Sequence, residues 1–227
     1  MQKNSLIDFP GKISCVIFLS GCNFDCPYCH NPSLVRGTPQ CPESIKGDGL
    51  YDFLRNRTDF LDGVVISGGE PTLQKDLPRL CEMIKGLGYS IKLDTNGSKP
   101  DHLKKLLEQG LVDYVAMDIK TDPFHYHPVI KKDCNPDDLL SSISTIMKSA
   151  PDYEFRTTCV RGFVDKRIIE DIARLIKGAN LYALQPFQDT HVLHPELLAG
   201  RNPGFNRDEL MDFKSVAEPW VKKCIVR

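Results

Sequence analysis

The chain has 227 residues, enough to bury one sizeable core, so a single domain spanning 1–227 is expected. Its 29 basic and 30 acidic residues leave a net charge of −1, and no global field favours nucleic acid or a membrane surface as partner. No apolar run approaches the roughly 20 residues of a membrane span, and the opening Met-Gln-Lys-Asn-Ser-Leu lacks a signal-peptide pattern, so a cytoplasmic location is expected.

Short apolar runs alternate with amphipathic segments along the chain. A strand is expected over 13–19, followed at once by a cysteine-bearing loop at 20–31, Gly21-Cys-Asn-Phe-Asp-Cys-Pro-Tyr-Cys-His-Asn31. Cys22, Cys26 and Cys29 crowd three soft thiolate ligands together, a pattern suited to iron–sulfur chemistry. An electron-transfer [4Fe–4S] cluster takes four cysteines, so three would leave one iron open to a substrate or cofactor. The same open position separates catalytic from structural metal sites. A structural zinc would need a fourth ligand, and His30 abuts Cys29 too closely for both to turn easily onto one metal. The nine cysteines are an odd number, and Cys15, Cys41, Cys81, Cys134, Cys159 and Cys224 stand singly. That argues against a disulfide framework and against an additional cluster domain.

A helix is expected within 42–60, weakened at its start by Gly47 and Gly49. A buried strand at 63–67, a helix at 75–87, a strand at 90–94 and a helix at 100–109 follow. Next come a strand at 114–118, a helix near 136–148, a strand at 153–158 and a helix at 166–177. A strand at 181–186, a helix at 207–221 and a short strand at 224–226 complete the series. This alternation predicts an α/β fold with a parallel sheet wrapped by helices. About six strand–helix units, in a chain shorter than the ~250 residues typical of a complete eight-unit barrel, predict an open, partial (β/α)6 barrel. Gly68-Gly-Glu70, Asp94-Thr-Asn-Gly97 and Asp118-Ile-Lys120 follow successive strands, as the cysteines follow the first. That places four chemical words on the face where such sheets build active sites.

The cysteine triplet resembles the CxxxCxxC signature of the radical S-adenosylmethionine (SAM) superfamily. Ser5-Leu-Ile-Asp-Phe-Pro-Gly11, Val16-Ile-Phe-Leu-Ser-Gly-Cys22 and the ending Cys29-His-Asn31 resemble the opening of glycyl-radical-enzyme activating enzymes. Within that group the likeness is to the short branch of anaerobic ribonucleoside-triphosphate reductase activating proteins. It continues through Asp94-Thr-Asn-Gly97, Met117-Asp-Ile-Lys120 and Tyr153-Glu-Phe-Arg-Thr-Thr158. The triplet is specific to the superfamily, whereas the other words point to the activases less firmly.

The resemblance implies a radical SAM core barrel, one [4Fe–4S] cluster on Cys22, Cys26 and Cys29, and SAM chelated by the open iron. Gly68, Gly69 and Glu70 resemble the motif that binds the SAM amino group, and adjacent glycines let a backbone approach a ligand. Tyr28 stands where the family puts an aromatic against adenine. Asp94 and Asp118 would bind a monovalent cation beside the SAM carboxylate, with the carbonyls of Thr95 and Ala116 completing an oxygen shell. Apart from the resemblance, the two aspartates read equally as turn and helix caps. Asn96 is grouped with the cofactor-binding residues. Lys120, expected on the same strand face as Asp118, would neutralise the carboxylates or face the ribose. Arg156 is a charge inside a strand-like run, and its planar fork suits the methionyl carboxylate of SAM. An internal ion pair with Asp118 or Glu70 is the alternative. Gln185, in Leu184-Gln-Pro-Phe-Gln188, would touch adenine or ribose, and Phe24 would cover the cluster from water. His30 and Asn31 match the activase loop without an assigned role. Cys159-Val-Arg-Gly162 departs from the Val-Pro-Gly of related activases, leaving the geometry around Arg161 open. His125 and His127 read as loop residues rather than metal ligands.

The chemistry so implied is reductive cleavage of SAM to methionine and a 5′-deoxyadenosyl radical, which takes a hydrogen atom from a backbone glycine of a partner enzyme. By resemblance that partner is anaerobic ribonucleotide reductase, with a flavodoxin or ferredoxin as reductant. The open mouth of a partial barrel agrees with a protein substrate. Three alternatives remain: a radical SAM enzyme acting on a small molecule, like 7-carboxy-7-deazaguanine synthase; one acting at a non-glycine peptide position; and a non-catalytic iron–sulfur or zinc module.

Overall fold

The computed structural model describes residues 1–35, 47–126, 130, 135–188, 191–198 and 202–227. Cys41, Cys134, His127 and the first part of the helix expected within 42–60 lie outside them. Eight strands form one sheet in chain order: β1 (Gln2–Ser5), β2 (Ser14–Leu19), β3 (Gly63–Gly68), β4 (Ser90–Thr95), β5 (Tyr114–Asp118), β6 (Tyr153–Cys159), β7 (Tyr182–Pro186) and β8 (Cys224–Val226). Every pair from β2 to β8 is parallel, and β1 lies antiparallel to β2. β1 was not expected. Its Gln-Lys-Asn-Ser sequence is exposed except at Ser5 and carries no apolar alternation, so only pairing with β2 defines it.

The connecting helices are α1 (Pro32–Val35), α2 (Gly47–Arg55), α3 (Leu77–Gly86), α4 (Pro100–Glu108), α5 (Pro136–Ser149), α6 (Lys166–Leu175) and α7 (Arg207–Ala217). Their boundaries follow local chemistry. Pro100 occupies the first turn of α4, and Leu103, Leu106 and Leu107 face the core. Asp165 caps α6 by accepting from the Ile168 N–H at 2.8 Å. Asn206 and Glu209 form a capping box at the start of α7. α7 ends at Ala217 rather than 221, because Pro219 lies in a separate 3-10 turn, Glu218–Trp220.

The outer face of the sheet packs against the helices through residues such as Ile17, Ile66, Leu93, Met117 and Phe155. With both faces covered, the central strands are continuous apolar runs, as in Val64-Val-Ile66 of β3. A second, smaller cluster of Phe9, Val16, Val65, Tyr114 and Ala116 fills part of the sheet's interior. Register places Asp94 beside Ala116 and Asp118 beside Arg156 on neighbouring strands. With side chains alternating along each strand, Lys92, Asp94, Asp118, Glu154 and Arg156 share that interior side. Among the described residues, no helix is long and apolar enough to cross a membrane.

Candidate active site

The loop after β2 is held by backbone contacts before any side chain is considered. The Gly21 N–H donates to the Leu34 carbonyl at 2.7 Å, and the Asp25 N–H to the Ile130 carbonyl at 2.7 Å. The Gly69 N–H donates to the Leu19 carbonyl and the Glu70 N–H to the Gly21 carbonyl, both at 2.8 Å. These bonds explain the two glycines. A Cβ on Gly68 would stand 2.3 Å from the Leu19 carbonyl oxygen, and one on Gly69 2.1 Å from that of Gly21. Both glycines line the cavity described below, and a side chain on either would strike backbone, the end of β2 at Gly68 and the cysteine loop at Gly69.

Glu70, expected to meet the SAM amino group, is 1% exposed, and its carboxylate accepts from four donors. These are the Thr72 N–H at 3.1 Å, Thr72 Oγ1 at 2.5 Å, Thr95 Oγ1 at 2.8 Å and the Asn96 N–H at 2.6 Å. Burial raises its carboxyl above the ordinary glutamate value, while the donors from Thr72, Asn96 and Thr95 pull it down. Glu70 therefore ties the end of β3 to the turn after β4.

That turn continues the frame into the cysteine loop. Asn96 Nδ2 lies 3.0 Å from Asn23 Oδ1 and 4.0 Å from Cys22 Sγ, and Asn96 Oδ1 accepts from the Ser98 N–H at 2.9 Å. The Phe24 N–H also donates to Cys22 Sγ, at 3.4 Å. Asn96, grouped with the cofactor contacts from sequence, thus directs its amide at the cysteine loop. Burial pushes the Cys26 thiol up to about 12 and raises that of Cys22. Binding iron must displace those protons.

Behind the loop lies an alternating ladder of charge. Arg156 Nε donates to Asp118 Oδ1 at 2.7 Å, and its Nη1 reaches Asp94 Oδ1 at 3.4 Å. Lys92 Nζ meets Asp94 at 2.5 Å, and Lys120 Nζ meets Asp118 at 3.0 Å. Deeper in, Glu154 accepts from Arg227 Nη1 and Nη2 and from Tyr114 Oη at 3.3 Å. Burial alone would raise the Asp118 carboxyl, but Arg156 and Lys120 outweigh it and hold the group well below the usual range. Burial likewise opposes ionisation of Asp94, but Arg156 and Lys92 lower its carboxyl below the ordinary value. Lys120 would be lowered by burial, yet the charges of Asp118 and Cys26 raise it well above the ordinary lysine value.

Arg156 makes the internal ion pair with Asp118 that was the alternative reading, extended to Asp94, and it also lines the cavity described below. The carboxylates proposed for a monovalent cation have their charge balanced by Lys92, Lys120 and Arg156. Lys120 lies two residues beyond the end of β5 instead of on it, and its ammonium folds back to Asp118.

Cys22, Cys26 and Cys29 open on a cavity at the C-terminal ends of the strands. Phe24, Tyr28, Asp94, Asn96, Asp118, Lys120, Arg156 and Gln185 share its lining, whereas Glu70 does not. Tyr28 is buried edge-on against Phe163, with ring centroids 5.0 Å apart, and its hydroxyl lacks a hydrogen-bond partner among the described residues. Phe24 packs edge-on against Tyr126 at 5.7 Å. His30 stacks on Phe187, its Nε2–H donating to the Gln188 carbonyl at 2.8 Å, so it clamps the loop to the end of β7. His125 pairs with Asp122 at 2.7 Å, outside this cavity lining. Among the described residues, no three His, Cys, Asp or Glu side chains converge as ligands of a single metal ion. A zinc site needs such convergence. Cluster ligands need not converge, because each cysteine binds a different iron.

Residues 16–175 match the radical SAM superfamily model. The chain belongs to the radical SAM superfamily. It is 37% identical to a Methanocaldococcus jannaschii protein provisionally named a glycyl-radical enzyme activating enzyme, over 98% of this chain and 92% of that one. It is 30% identical to a pyruvate formate-lyase-activating enzyme of Streptococcus mutans, over 80% of this chain and 73% of the relative. SuiB of Streptococcus suis, solved with SAM bound, superposes with a TM-score of 0.67 over 94% of this chain and 50% of that one. At 13% identity that likeness bears on the fold, an α/β partial barrel, and on nothing finer.

Radical SAM membership implies a [4Fe–4S] cluster and SAM. The site fits both on its own chemistry: three soft sulfurs on a braced loop, beside a cavity whose wall holds an unpartnered buried tyrosine hydroxyl. Cys22, Cys26 and Cys29 would hold the cluster; Tyr28, Lys120 and Gln185 stand in the wall available to SAM. Sequence reading missed Lys92, Asn23 and Thr72. Lys92 was within reach: a lysine between Ile91 and Leu93 in a buried strand is as conspicuous as Arg156. Asn23 and Thr72 carry no signal outside the folded chain.

Proposed function

We propose that this radical SAM enzyme generates a glycyl radical on a partner enzyme. The observation that carries the reading is a cavity, at the C-terminal ends of the parallel strands, lined by three thiols from one loop and no fourth among the described residues. Three ligands leave an iron free for the amino and carboxylate groups of SAM. When bound, cluster and SAM together supply one-electron cleavage to methionine and a 5′-deoxyadenosyl radical. The chain's own part is to hold that pair and exclude water. Phe24 and Tyr28 give the cavity apolar walls, and Lys120 and Gln185 offer polar contacts.

The choice of a glycine as target rests on the names of the relatives. Anaerobic ribonucleotide reductase as that target rests on the Ser5–Gly11 and Cys29–Asn31 words, and a flavodoxin or ferredoxin would deliver the electron. Residues 1–227 act as one domain in this reading. The test combines reconstituted protein, SAM, dithionite and the anaerobic reductase encoded in the same genome. A glycyl doublet in the electron paramagnetic resonance (EPR) spectrum of the reductase is expected. Deuterium from its glycine α-carbon should appear in 5′-deoxyadenosine. Transfer of label from a small metabolite, with no protein radical, would replace this reading with the small-molecule one.

A further inference from the structure

We infer that Asn96 tunes the iron–sulfur cluster: its side-chain amide donates to the sulfur of Cys22 and raises the cluster's reduction potential. The inference rests on the reading of Cys22, Cys26 and Cys29 as cluster ligands and adds a role for a residue outside that set. Asn96 is 6% exposed, and its Nδ2 stands 4.0 Å from Cys22 Sγ. The amide's orientation follows from a backbone group. Asn96 Oδ1 faces the Ser98 N–H at 2.9 Å, a group that only donates, so the opposite end of the amide must be the NH2. One of its hydrogens goes to Asn23 Oδ1 at 3.0 Å, and Asn23 is fixed in turn by its own Nδ2 on Ser98 Oγ at 2.8 Å. The other faces the sulfur. The backbone at Asn96 is anchored independently, by its N–H on Glu70 Oε2 at 2.6 Å.

Cys22 Sγ therefore meets two N–H donors, from the Phe24 backbone and the Asn96 side chain. Reduction adds negative charge to a cluster and its thiolates. Donors aimed at a ligand sulfur favour the reduced form and move the potential upward. Asn96 is thus a positioning residue that acts through Cys22, and Glu70 and Asn23 keep it in place.

The test is a redox titration followed by EPR, on anaerobically reconstituted protein without SAM, with iron counted in parallel. The set is wild type, Asn96→Ala, Asn96→Asp and Asn23→Ala. Asn96→Ala removes the donor and should lower the equilibrium constant for reduction about tenfold, a fall of about 59 mV for a one-electron couple. Asn96→Asp keeps the acceptor for Ser98 and places a carboxylate oxygen where the NH2 stood, so its potential should fall further. Asn23→Ala leaves Asn96 and Cys22 intact but frees the amide, and predicts a smaller fall of the same sign. These two variants carry the test if Asn96→Ala fails to retain iron. Potentials equal to wild type in variants that keep four irons would overturn the inference and leave the cluster reading standing. A wild-type protein that takes up no iron would overturn both.

Discussion

Replacing Glu70 with alanine distinguishes a brace from a ligand. Its carboxylate receives four donors, two hydroxyls and two backbone N–H groups. The hydroxyls can turn elsewhere, and Thr95 Oγ1 already accepts from the Gly97 N–H at 3.1 Å. The N–H groups of Thr72 and Asn96 have no such freedom. Each one left buried without an acceptor costs about 1–3 kcal/mol. The expected loss is about 2–6 kcal/mol, toward the lower half if a water enters the space left by the side chain. At roughly 2–4 °C per kcal/mol for a chain of this size, a loss of about 4 kcal/mol lowers Tm by roughly 8–16 °C. Circular dichroism melting of the metal-free protein measures this without interference from iron. SAM affinity of the reconstituted variant is measured separately. A Tm within about 2 °C of wild type, together with a tenfold or greater loss of SAM affinity, would refute the argument, because the carboxylate would then be contacting the cofactor.

Alanine at Cys22, Cys26 or Cys29 should abolish the four-iron cluster, whereas alanine at Cys81 or Cys224, both buried in the outer core, should leave the iron count unchanged. Full iron retention by Cys26→Ala would end the cluster assignment. Arg156→Leu leaves Asp94 with Lys92 and Asp118 with Lys120 as the remaining cationic partners, and should cost about 1.5–3 kcal/mol, read from the urea midpoint at constant slope. The same carboxyls give a pH signature. Both titrate below the ordinary value of about 3.9 in the fold, so their stabilisation is complete above that pH and is lost as pH falls through the depressed values. Unfolding free energy should therefore decline below about pH 4, with a shallower decline in Asp118→Asn; equal slopes for the two proteins would contradict this.

The parallel strands were readable because a strand covered on both faces must be apolar throughout, as Val64-Val-Ile66 is. β1 was not, because an edge strand of Gln, Lys and Asn differs from a loop only in its hydrogen bonds to β2. The exact end of α2 inside 42–60 was not legible for a similar reason. After Arg55 the chain continues in turns, with the Phe60 N–H on the Arg57 carbonyl at 3.0 Å, and these preserve a helix-like spacing. In the site, the words at the strand ends located the cavity because fold and position fix where strand termini meet. They did not say which way each side chain turns. Glu70 turns inward because Thr72, Thr95 and Asn96 all offer it protons, a fact that exists only once β3 and β4 lie side by side.

Those bonds make the cysteine loop, the turn after β3 and the turn after β4 a single frame. Gly69 lies against Gly21, Glu70 grips Asn96, and Asn96 reaches Asn23 and Cys22. A shift in any one must move the other two, so little in this frame can vary without disturbing the sulfurs. Arg161 lies outside this frame. Its N–H donates to the Pro203 carbonyl at 2.8 Å, a bond that the proline of related activases could not make. Its guanidinium lies 4.2 Å from the centre of the Phe205 ring and bonds both carboxylate oxygens of Glu209, at 2.6 and 2.7 Å. The residue that broke the expected pattern thus anchors the segment leading into α7 to the loop after β6.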